Sequence, residues 1–307
     1  MIRDETYIDL NGCKQFLSVR AAEPGLPLLL YLHGGPGDAA LPLVHKYNGP
    51  LEEFFTLAVW EQRGAGKSYH PFAGHQPPTI QTFLDDLHAL VRHLLERYGQ
   101  EKLFLVGHSW GSVLGLTYVQ RHPQWVRAYV GCGQVVDMAE GARRQLAYLR
   151  AQVRDPKVLD RLGRVDASYT QDGWLEDLLF VTRLVVKCGG SLYGKSSYNK
   201  LVKDFILSPG YSLRDLLVRE RGGLQSIQAL WPELMTVSFL GQTAFEVPII
   251  LMEGRHDHHV SSALAQEYFQ TIGTEKQLHW FERSCHFPQW SEAETFNRLM
   301  VGAAKRY

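Results

Sequence analysis

The apolar positions along the chain follow two alternating patterns. Short, largely apolar runs predict strands covered on both faces, and they fall at 28–32, 56–60, 103–106, 126–130, 247–252 and 277–281. Between them apolar residues recur at helical spacing, most clearly over 80–98, where Gly99 is a stop signal. Asn11-Gly12 lies between two further runs, 7–10 and 15–19, and predicts a β-hairpin. Alternating strands and helices predict a mostly parallel sheet covered on both faces.

The alternation stops at about residue 134 and resumes at about residue 246. The intervening segment is rich in Leu, Arg, Asp and aromatic residues and keeps helical periodicity in places. We therefore predict a core formed by 1–133 and 246–307, with a mainly helical insertion at 134–245. One interpretation of the insertion is a stabilising lobe. The other is a lid that shapes a pocket and excludes water.

Composition narrows the classes of partner. The 307 residues fit one large domain with an inserted lobe, and 32 Lys and Arg balance 32 Asp and Glu, which argues against nucleic acid or an anionic membrane. The first residues are charged where a signal peptide needs an apolar run, and no run approaches the ~20 apolar residues of a membrane-spanning helix. Four scattered cysteines indicate neither a zinc site nor a disulfide framework. We expect a cytoplasmic protein that acts on a small molecule or short peptide, and its oligomeric state stays open.

The most informative stretch is Gly107-His108-Ser109-Trp110-Gly111, which matches the G-x-S-x-G nucleophile elbow. A predicted strand precedes it and a predicted helix follows, which is the context that the motif requires. The sharp turn strains the serine backbone, and a Cβ at either glycine would crowd the crossing chains. The motif predicts a serine hydroxyl held clear of the fold at the end of a strand.

A serine hydroxyl is a poor nucleophile unless a base takes its proton and a carboxylate orients that base. In folds with this elbow the chain order is Ser, then Asp or Glu, then His. That order selects Asp257, just after the strand at 247–252, and His286, just after the last strand. The carboxyl ends of parallel strands meet at one edge of the sheet. We therefore predict a catalytic triad of Ser109, Asp257 and His286.

Acyl transfer also needs N–H donors for the developing oxyanion. In elbow enzymes one donor is the residue after the nucleophile, here Trp110. The second comes from a glycine loop after an early core strand, and His33-Gly34-Gly35-Pro36-Gly37 is such a loop. We predict Gly35 as the second donor, with Gly34 as the alternative.

Two other chemistries fit less well. The run that ends Gly66-Lys67-Ser68 is similar to a phosphate loop, but the Walker spacing needs a glycine at position 61, which is Glu61. We interpret it as a structural turn in which Arg63 braces neighbouring loops. The histidines around Asp257 could suggest a metal cluster, but their spacing is weak and a carboxylate-rich partner motif is missing nearby. We predict no metal ion at this site.

Together these motifs resemble the α/β-hydrolase superfamily and, more narrowly, the proline iminopeptidase family of serine peptidases. The matching pieces are 33–37, 62–68, 107–111, 254–257 and His286, in the family order. The resemblance implies an α/β-hydrolase fold with a helical cap, removal of an N-terminal residue, often proline, from peptides, and no cofactor.

The chain departs from the family pattern at two places. Glu61 stands where the family usually has Asp before Gln-Arg-Gly. In the family, cap carboxylates bind the free amine of the substrate, and an acidic residue beside Asn-His-Tyr marks one of them, but this chain lacks that sequence. The candidates for this role are Glu176, Asp177, Glu220 and Glu233. Each could equally be a solvated or ion-paired helix residue.

Three hypotheses follow. The leading one is a serine hydrolase that cleaves a small amide through an acyl-enzyme, most specifically an aminopeptidase. The second is an esterase, lactonase or amidase with the same triad but a cap that reads no amine. The third is a non-catalytic binding module, which the intact triad disfavours because binding needs no nucleophile.

Overall fold

The computed structural model describes residues 1–208 and 210–307, and its centre is an eight-stranded sheet. The strands are Ile2–Leu10 (β1), Cys13–Ala21 (β2), Leu28–Leu32 (β3), Thr56–Glu61 (β4), Leu103–His108 (β5), Val126–Cys132 (β6), Ile249–Gly254 (β7) and Lys276–Phe281 (β8). They lie in the order β1-β2-β4-β3-β5-β6-β7-β8. Strand β2 is antiparallel to β1 and β4, and the other neighbours are parallel. The predicted mostly parallel sheet is confirmed.

The helices fall into three groups along the chain. Their bounds are Leu41–Asn48 (α1), Ile80–Tyr98 (α2) and Trp110–Arg121 (α3); then Met138–Gln152 (α4), Pro156–Arg164 (α5), Trp174–Lys187 (α6), Asn199–Ile206 (α7) and Leu213–Leu234 (α8); then Ser262–Thr271 (α9), Pro288–Ser291 (α10) and Ala293–Arg306 (α11). The middle group, α4 to α8, lies in the chain between β6 and β7, and we call these the cap helices.

Alternate side chains of the central strands enter two different hydrophobic clusters. In β3, Leu28, Leu30 and Leu32 pack with residues of α2, α3 and α9. Leu29 and Tyr31 pack on the opposite face with residues of α1 and α11. Because side chains alternate across a strand, this division confirms that helices cover both faces of the sheet.

The cap helices have a small core of their own and also contact the sheet domain. Leu149, Leu162 and Val181 are fully buried in the cap cluster. Helix α8 lies against the loops that follow β3 and β4, where a Cβ on Gly222 would come within 2.5 Å of the Gly64 carbonyl oxygen. Close backbone contact therefore fixes α8 on the core at the edge where the strands end.

The last helix does not begin as its sequence suggests. The sequence Ser291 to Glu294 resembles a capping box for the last helix, but α11 begins after Glu292 without a side-chain cap, and the Ser291 hydroxyl donates to the Phe287 carbonyl oxygen (2.7 Å). Ser291 is the last residue of the short helix α10 and does not cap α11, so the capping-box interpretation is wrong.

Of the helices in 1–208 and 210–307, none combines the length and the apolar character needed to cross a bilayer.

Candidate active site

Ser109 occupies the turn between β5 and α3 in a strained backbone conformation. Its φ is 54° and its ψ is −119°, a region that residues other than glycine rarely adopt. A Cβ on Gly107 would lie 2.5 Å from the Gly111 carbonyl oxygen, and one on Gly111 would lie 2.3 Å from the Leu32 carbonyl oxygen. Both glycines are therefore required for the strand and helix to cross at this turn. The Ser109 N–H donates to the Cys132 carbonyl oxygen (3.0 Å), which ties the turn to β6.

Asp257 follows β7 and is 1% exposed. Its Oδ1 accepts the backbone N–H groups of His259 (2.8 Å) and Val260 (3.0 Å), and its Oδ2 accepts Nδ1–H of His286 (2.8 Å). Burial raises the pKa of Asp257, and the backbone N–H groups of Val260 and His259 oppose that rise. Because every hydrogen-bonding partner donates, these contacts stabilise the carboxylate form.

His286 follows β8 and is 3% exposed. Its main chain is held on both sides, since its N–H donates to the Ser191 carbonyl oxygen (3.1 Å) and its carbonyl oxygen accepts Nε2–H of His108 (2.8 Å). The contact with Asp257 commits Nδ1–H, so Nε2 is the nitrogen left to act as a base. Burial lowers the pKa of His286 to about 3, which keeps the ring neutral near pH 7.

The structure brings Asp257 and His286 into direct contact and places Ser109 close to them. The ring of His108, the residue before Ser109, lies 4.8 Å from the His286 ring between centroids. Within the described residues, a hydrogen bond between Ser109 Oγ and His286 is not formed. Such bonds are often long until substrate binds.

The glycine loop after β3 approaches the same turn. A Cβ on Gly34 would lie 3.2 Å from Ser109 Cβ, so Gly34 packs directly against the serine. Gly35 has φ 129° and lines a cavity together with Ser109 and Trp110. The Trp110 N–H is at the first position of α3, where N–H groups have no acceptor within the helix. Gly35 and Trp110 therefore border one space in front of Ser109.

The loop after β4 supports this arrangement. Gln62 accepts the Trp110 indole N–H (2.8 Å) and donates to the His33 carbonyl oxygen (3.1 Å), so it joins the elbow to the glycine loop. Arg63 makes two hydrogen bonds of 2.8 Å to the Asp86 carboxylate. The sequence 62–68 is thus a structural turn, but Arg63 braces helix α2 and, through the Leu10 carbonyl oxygen (3.4 Å), the end of β1 rather than neighbouring loops.

A cavity of about 540 Å³ opens between the ends of the strands and the cap helices. Its wall is mostly apolar, and its apolar lining includes Val135, Val136, Met138, Leu178, Leu179, Leu216, Ile227, Trp231, Leu234, Met235, Val260 and Leu264. The polar lining includes Asp38, Asp137, Gln145, Arg219 and His259. A cavity of this size accommodates a small ligand with an apolar group, oriented by few polar contacts.

The four acidic cap residues considered from sequence lie in different surroundings. Glu220 lines the cavity and is exposed to solvent. Glu233 Oε2 accepts the Ile80 N–H (2.8 Å) and so holds the start of α2. Glu176 is exposed in the first turn of α6, and Asp177 on the same turn accepts Gln171 Nε2–H at 3.4 Å. Only Glu220 of these four is placed on the cavity wall by the described residues.

Sequence reasoning missed several residues of the cavity. Asp137 caps α4 through the Glu140 N–H (2.7 Å) and also lines the cavity. Asp38 and Arg219 form an ion pair of 2.5 Å that joins the glycine loop to α8. His259 lies at the cavity with its ring against His286. The sequence could have indicated Asp137, because an aspartate between a predicted strand and a predicted helix is a typical N-cap. The other contacts connect distant parts of the chain, so no local signal marks them.

Comparison with known proteins places the chain among related sequences and folds. The sequence profile of the family described as alpha/beta hydrolase fold matches residues 27–293. The chain is 28% identical to the probable aminopeptidase YbaC of Bacillus subtilis (strain 168), over 98% of this chain and 96% of that protein. It is 34% identical to the proline iminopeptidase of Neisseria gonorrhoeae over 40% of this chain and 38% of that protein. The crystal structure of the proline iminopeptidase of Mycobacterium smegmatis superposes with a TM-score of 0.72 at 20% identity, covering 99% of this chain and 98% of that chain, which shows a common fold.

Proposed function

The chain belongs to the alpha/beta hydrolase family, and from that premise we propose that it is a serine aminopeptidase that releases an N-terminal residue through an acyl-enzyme. The observation that carries the proposal is that Asp257 contacts His286 at 2.8 Å, that the His286 ring lies 4.8 Å from the ring of His108, and that the next residue, the strained Ser109, lines the cavity. Backbone strain at a nucleophile and burial of an oriented base both lower the stability of the fold, and both are typical of residues that act in catalysis. We also propose a cytoplasmic location, which the four free thiols support.

The proposed reaction has two halves. As Ser109 Oγ attacks the carbonyl carbon of the substrate, His286 Nε2 takes the proton of the hydroxyl group. Asp257 stabilises the imidazolium that forms. The N–H groups of Gly35 and Trp110 receive the oxyanion. His286 then gives its proton to the leaving amine nitrogen, and the C–N bond breaks. Water, deprotonated by His286, next attacks the acyl-enzyme, and the product acid and free Ser109 are released.

Recognition of a free amine needs a carboxylate at the cavity that is not already neutralised. Asp38 lies at the cavity but is paired with Arg219 at 2.5 Å. Glu220 and Asp137 also line the cavity, and neither has an ion-pair partner among the residues that the structure describes. We propose Glu220 as the main site for the substrate ammonium, with Asp137 as the second carboxylate. The apolar wall then holds the side chain of the N-terminal residue.

The test is a panel of aminoacyl anilides offered with a free or an acetylated amine, prolyl anilide included. We expect turnover of the free-amine members and loss of at least about a hundredfold on acetylation, since acetylation removes the charge that the proposed carboxylates bind, and a site that pairs with a substrate group rejects an analogue that lacks it. Glu220→Gln should raise KM for the free amine about tenfold while kcat changes little. Glu176→Gln is the matched control, because Glu176 is an exposed carboxylate of the same cap and lies outside the cavity.

Two controls separate the remaining hypotheses. A fluorophosphonate probe should label wild-type protein and leave Ser109→Ala unlabelled. Labelling together with turnover of acetylated substrates or short acyl esters, and no preference for free amines, would instead support an esterase or amidase. A folded protein that the probe does not label would contradict catalysis by Ser109 and favour a binding module.

A further inference from the structure

The loop between α6 and α7 reaches from the cap into the loops that carry the acid and the base. The Gly190 carbonyl oxygen accepts the His258 N–H (3.0 Å), and the Ser191 carbonyl oxygen accepts the His286 N–H (3.1 Å). The thiol of Cys285 also contacts the Gly189 carbonyl oxygen at 3.4 Å. Residues 189–191, which we call the cap bridge, therefore bond to the acid loop and the base loop at once.

A side chain of the acid loop completes this connection. His259 Nδ1 is hydrogen-bonded to Ser191 Oγ at 3.0 Å, and Ser191 is fully buried. The His259 ring stacks on the His286 ring, with 4.5 Å between centroids and 26° between planes. The backbone N–H of His259 donates to Asp257 Oδ1 at 2.8 Å. One residue thus touches the acid, the base and the cap bridge.

We propose that His259 is a positioning residue for the catalytic base and that Ser191 of the cap bridge sets its orientation. The contact with Asp257 fixes one edge of the His286 ring, and the rings of His108 and Phe287 lie 4.8 Å and 5.1 Å from it between centroids. The ring of His259, stacked on its face, further restricts rotation about the bond to Asp257 and so holds Nε2 in the orientation that the proposed reaction needs. It also shields the ring face from water. The role as a positioning residue rests on the proposed function of His286 as a base.

The charges around His286 are consistent with this role. The groups facing its ring are the Asp257 carboxylate and the imidazoles of His108 and His259, with the Cys285 thiol beside it in the chain. Burial lowers the pKa of both His108 and His259, so neither imidazole carries a positive charge near pH 7. The stacked ring can therefore orient the base without opposing its protonation by charge repulsion.

Variants at position 259 separate the stacking from the hydrogen bond. His259→Phe keeps a ring over His286 and loses the bond to Ser191, whereas His259→Asn can keep that bond and loses the ring. Loss of an aromatic pair changes an equilibrium by up to about tenfold. If the stacked ring holds His286 in its reactive orientation, His259→Asn should lower kcat and the fluorophosphonate labelling rate by about that factor, with little change in KM. His259→Phe should lose no more than about threefold. His258→Phe is the matched control, because that ring stacks on Tyr148 (3.8 Å) rather than on His286.

A double variant tests whether Ser191 acts through His259. If its hydroxyl only orients that ring, Ser191→Ala combined with His259→Phe should show the same labelling rate as His259→Phe alone. Additive losses would overturn the role given to Ser191. Equal kinetics in wild type, His259→Asn and His258→Phe would overturn the role given to His259.

A measurement without substrate distinguishes failure of this proposal from failure of the proposed function on which it rests. In protein labelled with ¹⁵N-histidine, the ring signals of His286, assigned with Asp257→Asn, report its titration. In His259→Asn, the face of the His286 ring that His259 covers becomes accessible to water, and the pKa of His286 should rise by about one unit. In His258→Phe that face stays covered, and the pKa of His286 should not change. An unchanged titration in His259→Asn would contradict the positioning role. Failure of the probe to label wild type would instead contradict the proposed function alone.

Discussion

Replacing Gly254 by alanine should move His286, the proposed base, away from Ser109, the proposed nucleophile. Gly254 ends β7, and an added Cβ would lie 1.9 Å from the Cys285 carbonyl oxygen and 2.6 Å from its carbonyl carbon. Ordinary contact begins at about 3.4 Å, so the two chains must separate by roughly 1.5 Å (3.4 − 1.9). The obstructing atoms are backbone and cannot rotate aside. His286 is the next residue and must shift with them.

The magnitude follows from that displacement. A shift of about 1 Å in a catalytic group can lower the rate about a hundredfold. We therefore expect Gly254→Ala to lower kcat and the fluorophosphonate labelling rate by about that factor, with a smaller change in KM. Overpacking of this kind typically lowers stability by about 1–3 kcal/mol, so a lower melting temperature is expected as well.

The assay measures the labelling rate and the melting curve of the same samples. Gly302→Ala is the control, because that glycine lies in α11 and an added Cβ meets nothing within 4 Å. It should be labelled like wild type and be slightly more stable, since alanine favours a helix over glycine. A folded Gly254→Ala protein that is labelled within about threefold of the wild-type rate would refute the reasoning, because the loop would then tolerate the shift without loss of geometry.

Two further predictions follow from buried titratable groups. If His286 acts as a base in its neutral form, the burial that lowers its pKa should keep kcat/KM nearly constant as the pH falls through about 6.5, the ordinary value for histidine, with a decline only at lower pH; a loss centred near 6.5 would contradict the burial of the base. Glu61 is fully buried, accepts the Lys67 N–H (2.5 Å) and the Tyr211 hydroxyl, and burial raises its pKa to about 8. A raised carboxyl pKa means that the folded state binds the proton more tightly, so this stability is present below pH 4.5 and is lost as the pH rises to about 8. One pKa unit corresponds to about 1.4 kcal/mol, so up to roughly 5 kcal/mol is lost over that interval. Glu61→Gln should remove that loss in urea unfolding measured at several pH values, and parallel curves for the two proteins would contradict the raised pKa.

Much of the fold could be predicted from the sequence, because the patterns that indicate strands, helices and turns are local. A strand–turn–helix pattern around Ser109 depends on residues that are neighbours in the chain, and so does the buried character of β3. The chain order then restricts which Asp and His can meet at one edge of a parallel sheet. The alternation of strands and helices is enough to predict a doubly covered sheet, and the structure confirms it.

The acidic cap residues show where local signals end. Glu220 and Glu233 lie on the same helix, α8, and nothing in the sequence distinguishes which of them meets a ligand. One faces the cavity, and the other holds the start of α2 through the Ile80 N–H. The difference arises from how α8 lies against the core, where Gly222 allows close backbone contact. No helical periodicity encodes that docking.

By itself, the sequence determined the kind of sheet, the turn that presents Ser109 and the order in which an acid and a base could follow it. Only the tertiary structure decided that the cap reaches His286 through Ser191, that His259 stacks on His286, and which carboxylates border the cavity. The physical reason is the range of the interactions. Propensity and periodicity act over a few residues, whereas these contacts join segments up to about a hundred residues apart, and their geometry exists only once helices and sheet have packed.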